Sequence, residues 1–180
     1  MRSRQSTAFF ALMNVRIVLP TLFSLVLATI ARAEDFKVSD LTFSKPEGWK
    51  LVQPKSAMRK AQLTVGVNGE VVFFHFGAGG AGGKKANIDR WLGQFEEGKD
   101  QINAKTEETK AGEVPVTIVS ANGTYLAGMP GRPKVKKADH ALLGAIIEAE
   151  AGFIFVKFTG GKATVDAATE SFKAMVTGAK

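Results

Sequence analysis

The sequence predicts an α+β domain: a mainly antiparallel, twisted sheet of about six strands with helices packed on it. Three observations carry that expectation. The β-rich runs succeed one another mostly through short turns, which joins neighbours antiparallel. Two segments repeat apolar residues at helical spacing, each burying one stripe. The order along the chain is strands, helix, strands, helix.

Taken in order, Phe36–Val38 and Leu41–Phe43 are short extended segments. Lys45-Pro46-Glu47-Gly48 is turn chemistry, with proline presetting φ and glycine free to make it positive. Trp49–Gln53 opens a strand, and Ala61–Val67 is another. Asn68-Gly69 then joins that run to Glu70–Phe76, the strongest short hairpin signal. Val71–Phe76 is apolar and aromatic on both alternating faces, so each face of the sheet is expected to be covered. Gly77–Gly83 is glycine and alanine only. Ile88, Trp91, Leu92 and Phe95 then fall at i, i+3, i+4 and i+7, with Gly98 as the stop. The stripe predicts Trp91 and Phe95 inward and Arg90, Glu96 and Glu97 towards solvent. Residues 99–113 are polar and read as a connection or a frayed helix extension. Val114–Ala121 and Thr124–Ala127 are β-rich, and residues 128–140, with Pro130, Gly131 and Pro133, read as a loop. Ala141–Ala149 and Phe153–Thr159 flank a short turn at Glu150-Ala151-Gly152. Val165, Ala168, Phe172 and Met175 mark a closing amphipathic helix, with Thr164 as its expected N-cap.

The first 33 residues have the three parts of a cleaved export signal. Arg2, Arg4 and Arg16 make a positive start, Ile17–Ile30 is an apolar run, and Ala31-Arg32-Ala33 offers small residues for cleavage. That run is shorter than the ~20 residues a membrane span needs. The expected organisation is therefore a secretory signal peptide over 1–33 and one domain over 34–180, exported to the periplasm or the exterior. The chain has no cysteine. A lipid anchor of the usual bacterial kind, thiol catalysis and cysteine-based metal sites are thereby excluded. The net charge of +7 includes four signal arginines, Arg2, Arg4, Arg16 and Arg32, so residues 34–180 carry +3. A charge that small does not predict nucleic acid as a partner.

No set of residues commits the domain to a reaction. Gly77, Gly79 and Gly82 satisfy G-x-G-x-x-G, and such a loop can turn backbone N–H groups to an anion. The dinucleotide pattern also needs a following strand that ends in an acidic residue. Val114–Ala121 closes on Ser120-Ala121-Asn122 instead, while Glu107 and Glu108 stand in a polar stretch. The phosphate-loop pattern fails as well, because Gly83-Lys84 is followed by Lys85 and not Ser or Thr. The loop is expected to be structural, with Gly79 and Gly82 as its candidate ligand contacts. His75 alternates with Val71 and Phe73 and is expected as a satisfied core or half-buried histidine, and as a ligand contact only if a pocket reaches it. His75 and His140 have no metal-ligand spacing with the carboxylates, so no metal and no cofactor are predicted. No G-x-S-x-G elbow presents a serine nucleophile. Glu148 and Glu150 share a strand face, which reads as a solvated strand end. Arg132, Lys134, Lys136 and Lys137 form the one basic concentration, placed in the expected loop. Loops on a rigid scaffold carry binding. The candidate partner for these four is an anionic envelope component or another exported protein.

Phe43-Ser44-Lys45-Pro46-Glu47-Gly48-Trp49 resembles the opening of PsbP-like domains, in which a short strand leads through proline and a small turn to tryptophan. Ser56-Ala57-Met58-Arg59, the glycine loop, Arg90-Trp91-Leu92-Gly93-Gln94-Phe95 and Gly123-Thr124-Tyr125 are similar to a group of uncharacterised exported bacterial proteins with such a domain. The resemblance covers most of residues 41–176. It implies an α-β-α sandwich around an antiparallel sheet and supplies no catalytic residues. PsbP proteins are accessory subunits of the photosynthetic oxygen-evolving complex, a role that likeness of fold does not carry over.

Overall fold

A computed structural model of the chain describes residues 34–128 and 131–180. The expected signal peptide and Pro130 lie outside the described residues. The elements are β1 (Asp35–Val38), β2 (Leu41–Ser44), β3 (Lys50–Val52), β4 (Arg59–Val65), β5 (Gly69–His75), α1 (Lys84–Leu92), β6 (Lys105–Ala111), β7 (Val114–Ala127), β8 (Val135–Ala149), β9 (Gly152–Gly161) and α2 (Lys162–Thr177). The main sheet has seven strands in the order β3-β4-β5-β9-β8-β7-β6, and β1 and β2 form a separate two-stranded sheet. Every neighbouring pair is antiparallel.

The strand missing from the expected six is β6. Its sequence, KTEETKA, is exposed at every position but Ala111. An edge strand open on both sides gains its ladder from the backbone and shows no apolar alternation, so residues 99–113 read as a connection. The basic segment is corrected too. Lys136 and Lys137 lie on β8, and only Arg132 and Lys134 precede it. The two β-rich runs after Val114 are one strand, with a bulge between Gly123 and Tyr125 opposite β8. Asp139 sits at φ 51° in that bulge.

The two helices cover opposite faces of the sheet. On one face α2 and the β1–β2 hairpin bury Phe43, Phe73, Phe158 and Phe172, all at 0% exposure. On the other, α1 sets Trp91 and Leu92 on Val119, Leu142, Ile146 and Phe155. Gly144 of β8 makes that seat possible: a Cβ there would lie 2.6 Å from Trp91 Cε3. Helix α1 stops at Leu92, capped by Gly93, and does not run on to Gly98. Phe95 is buried as expected, but in an extended segment that bridges to Tyr125 on the open edge of β7. Glu97 is not turned to water; both of its carboxylate oxygens accept from the Thr124 N–H at 2.9 Å. At the last helix Gly161, not Thr164, is the N-cap. The Thr164 hydroxyl donates instead to Asn68 Oδ1 at 3.0 Å, tying α2 to the β4–β5 hairpin.

Candidate functional site

The glycine loop is built into the fold from below. Gly77, Gly79 and Gly82 have φ of 77°, 71° and 75°, which side chains rarely adopt. Gly152, in the β8–β9 turn, stands so close to Gly77 that an added Cβ would meet its carbonyl at 2.6 Å. At the far end Asn87 is buried, and its amide donates to Ala81 O at 2.9 Å and Gly83 O at 3.0 Å. Its Oδ1 accepts from Arg90. Between these anchors the loop arches over a recess of about 400 Å³, lined by backbone, Ala149 and Phe153. Gly79 and Gly82 line it; no ionisable side chain does.

His75 is not brought to that recess. It ends β5 half-exposed and lines a separate shallow recess with Met58, Lys60 and Gly77. Its Nε2 lies 3.1 Å from Ala151 O and 3.3 Å from Ser39 Oγ. A carbonyl only accepts, so Nε2 carries the proton and cannot serve as the base for Ser39. Ala151 N–H donates to Asp40 Oδ2 at 3.3 Å. Slight burial raises the Asp40 carboxyl, but backbone hydrogen bonds, the Ser39 hydroxyl and the charge of His75 outweigh it and hold the group below its usual range. Glu148 and Glu150 do not act as a pair: Glu148 takes an ion pair from Lys84 at 2.9 Å, and Glu150 is exposed in the turn.

The four basic residues are exposed and divided among different surroundings. Lys136 pairs with Glu96. Lys137 stands opposite Tyr125 in the ladder and faces a different recess, described next.

The polar site that the sequence reading missed lies on the α1 face, beyond the reach of that short helix. Successive rows across the sheet change from apolar to polar. Phe74, Phe155 and Ile146 form one row, then Gln62, Val72, Lys157 and Gly144, then Thr64, Glu70, Thr159 and Leu142. Lys157 donates to Tyr125 Oη at 2.8 Å and to Gln94 Oε1, and its ammonium sits 5.3 Å from the Tyr125 ring centroid. Burial, then the charges of Arg90 and Arg59 against an opposing pull from Glu70, bring Lys157 down to about 8. Burial, helped by Glu70, pushes Tyr125 up to about 12, so it stays a neutral hydroxyl. Glu70 accepts from Lys55 at 2.7 Å and Gln62 at 3.0 Å, and pairs with Arg59 at 3.2 Å. Burial alone would raise its carboxyl; the Lys55 hydrogen bond and the two cations reverse that and lower it. The signal was present in the sequence. Lys157 interrupts the apolar run Phe153–Phe158, and Gln62 sits inside Ala61–Val67.

Among the described residues no three His, Asp or Glu side chains are arranged to hold a metal, and no helix is long and apolar enough to cross a membrane. No protein-family model matches the chain, and no curated protein is detectably similar to it. Solved structures do match. The solution structure of cyanobacterial PsbP (CyanoP) from Synechocystis sp. PCC 6803 superposes with a TM-score of 0.55 at 11% identity, covering 88% of this chain and 98% of that one. A protein of unknown function from Pseudomonas aeruginosa matches with a TM-score of 0.40 at 12% identity, over 81% of this chain and 94% of that one. An antiparallel sheet with one helix on each face, superposing along nearly the whole of CyanoP, makes the fold of this chain PsbP-like.

Proposed function

We propose that residues 34–180 are an exported binding or accessory module of the cell envelope, delivered by residues 1–33 as an export signal. The module holds a partner and does not transform a substrate. The observation that carries this reading is the uneven cover of the sheet. One face is closed by α2 and the β1–β2 hairpin, while α1 leaves half of the other to Lys55, Glu70, Tyr125 and Lys157. The chain shares its fold with CyanoP over a module of similar length, and the role is argued from the exposed surface and not from that likeness. Lys137 lines that open part and Lys136 pairs with Glu96; with Arg132 and Lys134, which precede β8, they are the exposed basic surface offered to an anionic envelope component.

Each basic side chain near an anionic surface contributes up to ~1 kcal/mol, so the four together give weak, salt-sensitive attachment. The test is cosedimentation with isolated envelopes at low salt and at ~0.5 M, where screening is much stronger. Wild type should sediment at low salt only, and the variant with all four changed to Ser should stay in solution. Equal sedimentation of both at low salt would sink the basic surface as an attachment site. Mass spectrometry of the native protein should find Glu34 at its N-terminus; an intact Met1 would refute the export signal.

A second reading, a small ligand held at Gly79 and Gly82, has the 400 Å³ recess in its favour. His75 takes no part in it, because its imidazole lies in a different recess.

A further inference from the structure

Lys157 occupies the centre of the open half-face, between β5 and β8. An ammonium has three N–H donors. Two go to neutral acceptors, Tyr125 Oη and Gln94 Oε1, and among the described residues no carboxylate comes within ion-pair distance. A half-buried cation without a counter-ion carries a desolvation cost, and an anion placed near it relieves that cost. The adjoining recess, about 340 Å³, is lined by Lys55, Glu70, Tyr125, Lys137, His140 and Thr159. That is room for a small ligand, at the low end of known sites.

Glu70 is the one carboxylate in the lining, and its charge is already spent. Oε1 accepts from Lys55 and Gln62, and Oε2 faces Arg59. Around the recess stand four cations, Lys55, Arg59, Lys137 and Lys157, against that single carboxylate. Asp139, in the nearby bulge, has Lys162 within its field. Lys137 is exposed and makes no ion pair among the described residues, unlike Lys136, which pairs with Glu96; its ammonium is open to a ligand at the mouth. The hydroxyl of Thr159 adds a neutral donor from the floor.

We propose that this recess binds a small anion of the phosphate class, with Lys137 at its mouth and Thr159 at its floor as donors and Lys157, beneath Tyr125, as the half-buried positive charge that draws it. The inference rests on the reading of the domain as a binding module and gives that module a ligand chemistry. The phosphate can belong to a free solute or to a lipid headgroup.

Amide chemical shifts of the full domain, titrated with inorganic phosphate at constant ionic strength, test it. The expected result is saturable movement at Tyr125, His140, Thr159 and Gly160, absent when chloride replaces phosphate. Lys157→Met keeps the side-chain volume and should bind phosphate about tenfold more weakly, because the half-buried charge that draws the anion is gone. Lys137→Gln, at an exposed position that cannot upset the core, should weaken it in the same direction. Equal affinity in wild type and both variants overturns the proposal, as do shifts scattered over surface lysines or reproduced by chloride. Competition by phosphatidylglycerol vesicles assigns the site to a headgroup, and binding without competition assigns it to a free solute. A wild-type protein that sediments with envelopes but ignores phosphate defeats the recess and leaves the proposed function standing.

Discussion

On the α2 side of the sheet, a helix of 16 residues and a hairpin close over phenylalanines that show no surface at all. On the α1 side, a helix of 9 residues covers part of the face, and beyond it the rows carry Gln62, Glu70 and Lys157. The same strands supply both faces, residue by residue in alternation. The difference therefore lies in what covers them. A long amphipathic stripe permits a wholly apolar face, whereas a short one leaves strand positions that must satisfy themselves with hydrogen bonds and water. Stability is thus concentrated on one side and chemical readiness on the other.

The largest effect that would sharpen this contrast is expected from Phe158→Ala. Phe158 is fully buried and packs on Trp49 and Phe172, so its truncation should cost about 4–5 kcal/mol, measured by denaturant unfolding. Trp91→Ala, at 6% exposure under α1, should cost about 3 kcal/mol. If the two losses prove equal, the faces are equally stabilising and the contrast fails. Gly144→Ala drives a methyl into the Trp91 ring and should cost about 1–3 kcal/mol by overpacking, with a near-ultraviolet circular dichroism change at the tryptophan.

A smaller effect has a pH signature. Folded Lys157 loses its proton near 8 and the unfolded side chain near 10.5. Between those values the unfolded chain binds more protons, so stability rises with pH. Below 8 both states are charged and the cost of burying the ammonium is fully present. Lys157→Met should therefore be more stable than wild type at pH 7 by on the order of 1 kcal/mol, discounted for partial solvation, with the gap closing by pH 10. Above pH 10 the unfolded chain releases the tyrosine proton first, and wild type and variant should both lose stability through Tyr125. A constant gap from pH 7 to 10 would place Lys157 in water. Smallest of all, serine at 132, 134, 136 and 137 should move the unfolding midpoint by no more than about 0.5 kcal/mol, since these side chains are exposed.

Much of the closed face was legible because burial imposes a period. Val165, Ala168, Phe172 and Met175 at helical spacing gave α2, and Asn68-Gly69 and Glu150-Ala151-Gly152 gave two of the hairpins. Legibility ended where burial ended. Strand β6 has no buried side chain before Ala111, and β8 begins with five exposed residues, so neither stretch shows alternation. The polar half-face was hidden for another reason. Gln62, Glu70 and Lys157 come from three strands, and only the register β4-β5-β9 places them side by side. The glycine loop drew attention by composition, yet its glycines answer to positive φ and to the nearness of Gly152.

A sheet that ends in free edges offers each end as a template for another copy, and long ribbons of molecules can grow that way. Here β3 is only three residues long, too short to hold a second chain, and β6 is the edge that matters. Two copies of β6 meeting antiparallel about their midpoint would set Glu108 directly against Glu108, with Thr106 facing Lys110 on either side. Like charges opposed in a ladder repel, and no apolar row compensates them. The same lack of alternation that concealed β6 in the sequence therefore works against ribbon growth through that edge.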